Sequence, residues 1–235
     1  LSWAGIDPAV IAGTSEGMPA ETAGLKEGDV ITKLDGRKIH LSREISMYLM
    51  TAGQDPVQVE YRRYDETSSS WTTEHPEFKD GRYYLGVLLQ GHRDAPESLV
   101  QVLQYSVYEV RYWILTVIDS LKMIAGGKVS TNDIAGPVRI VTIIDQTVEE
   151  NTQYGFVTVV MNLLNLMVMF SANLGVMNLL PFPALDGGRL VFLLWELVTR
   201  QPVSQRVESA VNMAGMALLM TFMVFVVFND LRMIF

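Results

Sequence analysis

The chain has 235 residues, enough for one or two domains, and carries 26 acidic against 18 basic residues for a net charge of −8. No cluster of Lys and Arg offsets that balance, which excludes phosphate-tracking binding, so no nucleic-acid partner is expected. The absence of cysteine excludes a disulfide framework and a thiolate metal site, and leaves an extracytoplasmic location neither supported nor excluded.

Composition changes along the chain: polar and turn-rich up to about Asp94, then heavily apolar, with Leu and Met dominant, from Gly155. The chain opens on Leu1-Ser2-Trp3 with no signal peptide ahead of it, and it is expected to be a fragment. The first ninety residues read as alternating short strands and turns. Strands are expected over 10–12, 30–34, 57–63 and 83–89, with a helical turn over 19–23 closed by Gly24. Asp35-Gly36 has hairpin-turn chemistry, and Ser42 is placed to cap a helix running to about Thr51. The polar stretch 65–80 reads as a loop or mobile hairpin.

Residues 97–124 place Leu99, Val102, Leu103, Val107, Val110, Ile114, Val117 and Leu121 on one helical stripe. Glu109, Arg111, Asp119 and Lys122 are too many charges for lipid on all sides, so an amphipathic helix lying in the membrane interface is expected. Trp113, Tyr105, Tyr108 and Tyr112 suit that depth. The alternative is a helix packed on the soluble domain. No charge occurs between Gly155 and Asp186, nor in 209–229, and both runs are long enough to span. Ala210, Ala214 and Gly215 permit close packing of the second span. The alternative here is a pair of buried helices in a large soluble core. Arg189, Arg200 and Arg206 between the two runs place that linker in the cytoplasm, and the earlier part of the chain on the opposite side.

The segment Asn178-Leu-Leu-Pro181-Phe-Pro183-Ala-Leu-Asp186-Gly-Gly-Arg189 carries the chemistry. Two prolines break a helix at membrane depth, which is tolerated only where backbone is covered by protein or lines a cavity. A carboxylate follows, and an ionisable group within a span is a functional site by default; the plain alternative is that Asp186 only marks a helix end.

This segment closely resembles the Asn…Pro…Leu-Asp-Gly motif of the site-2 protease family of intramembrane zinc metalloproteases. Ile134-Ala-Gly-Pro137 is similar to that group's Gly-Pro element, and Ala172-Asn173-Leu174-Gly175 also fits. Residues 15–39, from Ser15-Glu-Gly-Met-Pro to Asp35-Gly-Arg-Lys-Ile39, resemble the centre of a bacterial PDZ domain of the permuted kind, with similarity over about 9–92. The resemblance implies a PDZ groove along the helix at 42–51 for an extended peptide ligand, and Leu85-Gly86-Val87 is similar to a carboxylate-binding loop. The domain alternatively only gates or spaces.

By the same resemblance Asp186 is the third protein ligand of a catalytic Zn2+, Asn178 contacts substrate or steadies the oxyanion, and Pro181 and Pro183 shape the substrate-facing break. The family's His-Glu-x-x-His pair is missing: the histidines are His40, His75 and His92, none in that context. The chain alone is therefore expected to be inactive, with the remaining ligands upstream.

The expected architecture is a multi-domain membrane protein: a small α+β PDZ-like domain (1–93), an amphipathic interfacial helix with a connecting loop (94–154), and a two-helix transmembrane part (155–235). The implied function is the C-terminal part of a protease that cuts transmembrane segments of proteins such as anti-sigma factors. It would sit multi-pass in the inner membrane among lipid, with the PDZ domain extracytoplasmic. A catalytically inactive PDZ-bearing scaffold of the same fold is the alternative, and a transporter with an intramembrane acid the more distant one.

Overall fold

The computed structural model describes residues 5–53, 55–63, 69–72, 76–79, 82–89, 94–127 and 136–234. The chain divides into two compact units, Leu1–Asp119 and Ser120–Phe235.

In the first unit, β1 (Ile11–Thr14), α1 (Pro19–Thr22), β2 (Val30–Leu34), β3 (Arg37–Lys38), α2 (Ser42–Ala52) and β4 (Gln58–Arg62) are followed by four short strands. These are β5 (Ser69–Thr72), β6 (Glu77–Lys79), β7 (Arg82–Tyr84) and β8 (Val87–Leu89). An antiparallel sheet runs β3-β2-β4-β5, β1 pairs with β8, and β6 pairs with β7. Asp35 (φ 47°) and Gly36 (φ 77°) are both left-handed, the conformation a two-residue hairpin needs between β2 and β3. Asp35 fixes that turn by accepting from the Tyr48 hydroxyl and from Gln58 N–H, each at 2.6 Å. Alternation along β4 sends Val59 and Tyr61 inward, and a register shift after Ile31 in β2 brings both Ile31 and Leu34 to the same side, onto Ile11, Ile39, Ile45, Leu49 and Leu85.

The single strand expected over 83–89 is two strands. Leu85 O accepts from Ala20 N–H at 2.9 Å and Gly86 O from Ser15 N–H at 2.8 Å, so the chain turns toward α1 with Gly86 at φ 81°. Ser42 does not cap α2 either; its hydroxyl donates to Asp7. Glu44 takes the capping role, its buried carboxylate accepting from His40 N–H (2.6 Å) and Leu41 N–H (3.4 Å). The stretch 65–80, expected as a loop or mobile hairpin, contains the strands β5 and β6 among its described residues. Asp29, almost fully buried, receives both Arg63 Nε (2.8 Å) and Nη2 (2.7 Å), with Lys26 N–H at 2.9 Å. Burial alone would raise its pKa, but these donors outweigh it and hold the carboxyl below the usual range.

The helix α3 (Leu99–Ala125) carries its charges differently from the sequence expectation. Its buried carboxylates meet α2 and β3: Glu109 pairs with Arg43, Asp119 with Arg37 at 2.5 Å, and Arg111 with Glu44 at 2.5 Å. Tyr108 lies flat on His40 (centroids 3.9 Å, 3° between planes), and Arg43 sits 4.9 Å over the Tyr112 ring. Tyr108 and Tyr112 thus join α3 to the domain. The opposite stripe, Leu99, Leu103, Val107 and Val110, is exposed. Packing on the domain and an uncovered apolar face therefore coexist on one helix.

In the second unit, α4 (Pro137–Thr152), α5 (Phe156–Asn178), α6 (Asp186–Thr199) and α7 (Gln205–Ile234) follow. The connecting loop expected up to 154 in fact contains α4. Gly136-Pro137 starts it, proline being suited to a first helical position, and Ile140, Ile143 and Ile144 recur at helical spacing. Helices α5 and α7 are long and apolar enough to cross a membrane over Phe156–Asn178 and Gln205–Arg232, and their most apolar windows are almost wholly uncovered.

Candidate active site

Pro181 and Pro183 end α5 at Asn178 and leave seven residues before α6 begins at Asp186. That connection folds onto itself: Phe182 N–H donates to Leu180 O at 2.7 Å, and Leu185 N–H to Phe182 O at 3.1 Å. The fold-back explains the two glycines after the carboxylate. Both are buried, and a β-carbon on Gly187 would strike the carbonyl oxygens of Leu179 and Leu180, while one on Gly188 would strike that of Phe182. Ala184 takes φ 76°, unusual for a residue with a side chain.

Asp186 lies in the first turn of α6, where the unpaired N–H groups and helix dipole favour a negative charge. Its side chain is exposed and lines a cavity of about 650 Å³ shared with Arg189, Glu208, Ser209 and Asn212. Asn178 is half-buried at the far end of the connection and does not line this cavity; Pro181 is exposed, and Pro183 packs on Gly215 of α7. The structure thus joins Asp186 to α7 rather than to Asn178.

Asn212, Gly215 and Glu208 were not singled out as site residues. A polar Asn inside an uncharged, largely apolar run was the signal that could have found the first. Asp230 is a second such residue. Fully buried near the end of α7, it accepts from Gly136 N–H (3.1 Å) and Arg139 N–H (3.2 Å) and so caps α4 from another helix. A β-carbon on Gly136 would come within 2.5 Å of Asp230 Oδ2 and Val226 Cγ1, which gives the Gly-Pro element a steric reason.

Among the described residues, no group of three or more His, Cys, Asp or Glu is gathered to hold a metal. His40 is committed to Tyr108, and burial pushes its imidazole below the usual pKa; His75 and His92 lie outside the described residues. Asp186 fits a zinc ion as one oxygen donor, being exposed toward a cavity it shares with other polar side chains and free of a covering ion pair among the described residues. In the first unit, β8 pairs with β1 along one edge, and among the described residues no strand pairs with its other edge. Leu85-Gly86 lies at the start of that strand, with α2 packed on β7.

A family model described as Peptidase family M50 matches residues 11–222. The zinc metalloprotease RasP of Shouchella clausii is 37% identical over 224 residues, 94% of this chain and 50% of that protein. The regulator of sigma-W protease RasP of Bacillus subtilis is 28% identical over 222 residues, 94% of this chain and 50% of that protein. The chain spans about half the length of the curated relatives it matches. Among solved structures, the PDZ domain of the SdrC-like protein Lin2157 from Listeria innocua is 27% identical and covers 37% of this chain and 98% of that one, with a TM-score of 0.32.

Proposed function

The chain belongs to peptidase family M50, a family of membrane-embedded zinc metalloproteases, and on that footing we propose that it is the C-terminal part of an intramembrane protease that hydrolyses peptide bonds in transmembrane segments. The observation that carries the reading is local. A carboxylate at a helix start, immediately after a double-proline break at the end of an apolar helix, lines a cavity of mixed polar and apolar character. Neither a core helix nor a plain helix end needs that combination.

Asp186 supplies the third protein ligand of a catalytic zinc, the two His ligands and the Glu general base belonging to residues outside these 235. Bound there, zinc supplies a nucleophilic water with a lowered pKa and polarises the scissile carbonyl. The chain's own residues position the reaction. Asn178 contacts substrate backbone or donates to the developing oxyanion, and Pro181 and Pro183 keep backbone unpaired by the α5 helix so that it can face an extended substrate. Tested alone, these 235 residues cleave nothing and hold zinc weakly, because one carboxylate does not hold catalytic zinc.

The protein sits multi-pass in the inner membrane, with α5 and α7 spanning, the Arg189–Arg206 linker cytoplasmic and the PDZ-like domain extracytoplasmic. The exposed stripe of α3 lies on the lipid surface, and the edge of β8 that no described strand pairs with receives an extended peptide. The name of the Bacillus subtilis relative, a regulator of sigma-W protease, supports an anti-sigma factor or similar single-span protein as substrate.

The test is cleavage of a helical membrane substrate by the longer natural protein containing this sequence. Asp186→Ala is expected to abolish cleavage while the protein still inserts. Undiminished cleavage by that variant overturns the ligand role. A wild-type protein that carries no zinc and cuts no substrate is instead the inactive scaffold.

A further inference from the structure

We propose that Asn212 of α7 is a positioning residue for Asp186, acting through the left-handed turn at Ala184. This rests on Asp186 being a zinc ligand. The loop carrying Asp186 is held by α7 at two points one helical turn apart. At Gly215, Pro183 packs so closely that a β-carbon would come within 2.5 Å of its Cβ and its carbonyl oxygen. At Asn212, the side-chain Oδ1 accepts from Ala184 N–H at 3.2 Å.

Ala184 is where the loop is strained. With φ 76° it adopts a left-handed conformation that a residue with a β-carbon rarely takes and that stores strain. Two residues later the chain delivers the Asp186 carboxylate to the cavity. Such a conformation persists only where its surroundings hold it, and the Asn212 amide is the polar group placed to do so. An N–H group can only donate, so the amide must turn Oδ1 toward Ala184. Its NH2 group is left without a partner among the described residues, at the wall of the cavity that Asn212 and Asp186 both line. Asn212 thus fixes the direction from which the carboxylate enters. Groups that orient a metal-binding side chain typically change affinity or activity about 10–100-fold when removed.

The experiment uses the longer natural protein in detergent and measures zinc affinity by competition with a chromophoric chelator, alongside cleavage. Asn212→Ala is expected to weaken zinc about 10–100-fold and to lower kcat with KM nearly unchanged. Asn212→Asp keeps the acceptor for Ala184 N–H and is expected to hold zinc within about threefold of wild type. Adding Ala184→Gly to Asn212→Ala removes the strain that the amide held in check, and is expected to recover most of the lost affinity. Wild-type affinity in Asn212→Ala, an equal loss in Asn212→Asp, or a loss that Ala184→Gly does not recover, each overturns the proposal. If Asn212→Ala fails to accumulate, Asn212→Asp and the double variant decide alone. Asp186→Ala separates the two levels. Zinc retained in that variant sinks the ligand reading, whereas zinc lost there but unchanged in Asn212→Ala sinks the positioning role alone.

Discussion

Removing the Glu44 carboxylate should loosen two elements at once, because one buried group serves both. Glu44 is 1% exposed, accepts from His40 and Leu41 N–H at the start of α2, and receives Arg111 of α3 at 2.5 Å. Loss of a helix N-cap costs about 1 kcal/mol. A hydrogen bond to a charged group contributes about 1.5–3 kcal/mol, but Arg111 stays nearly a third exposed and still donates to Lys38 O at 2.9 Å. That residual solvation discounts the ion pair to about 1 kcal/mol or a little more. The sum for Glu44→Ala is about 2 kcal/mol or a little more. Glu44→Gln, which keeps an acceptor for the two N–H groups, should lose about half as much. Hydrogen–deuterium exchange of the whole chain in detergent reads both effects, as faster exchange at the start of α2 and along the Tyr108–Asp119 part of α3. A change below about 0.5 kcal/mol, or a change in α2 that leaves α3 untouched, refutes the clamp.

His40 gives the same junction a pH dependence. Its pKa is held down chiefly by burial, so the folded state disfavours protonation relative to the unfolded chain. Stability from this group is complete above the ordinary value of 6.5 and falls as the pH drops below it. Exchange in α3 should therefore quicken on acidification below about pH 6.5, and His40→Phe should flatten that response. Gly136→Ala should destabilise α4 by about 1–3 kcal/mol through collision with Asp230 and Val226, read as lost amide protection in the first turns of α4. Undiminished protection there would show that α7 does not hold the start of that helix. Asp29→Ala should destabilise the first unit by about 2–4 kcal/mol by stripping Arg63 and Lys26 N–H of their acceptor. The Asp29 contribution is present above the ordinary value of 3.8 and is lost as pH falls through its lowered folded value.

What was legible in the sequence was what local chemistry decides. The β2 strand, the Asp35-Gly36 turn, α2 and the break before Asp186 each follow from residues within a few positions of one another. What was not legible depends on partners distant in sequence. Charges on α3 read as a water-facing stripe because nothing near 109–119 announces Arg37 and Arg43 as partners. Ser42 looked like a cap, yet Asp7 claimed its hydroxyl and Glu44 did the capping. The α4 helix escaped because Arg139, Asp145, Glu149 and Glu150 interrupt its apolar pattern, and because its cap lies about ninety residues away on α7. Asp186 was identifiable from its motif and Gly215 as a close-packing position, but neither Asn212 nor the contact of Gly215 with Pro183 was, since a span of small and apolar residues does not declare which face meets the break.

The central claim is that Asp186 binds zinc, and zinc K-edge X-ray absorption on the zinc-loaded longer protein tests it most directly. Wild type is expected to show nitrogen and oxygen neighbours at about 2.0–2.2 Å, with one fewer protein oxygen, or one replaced by water, in Asp186→Ala together with weakened zinc retention. An identical spectrum and undiminished zinc in Asp186→Ala would contradict it.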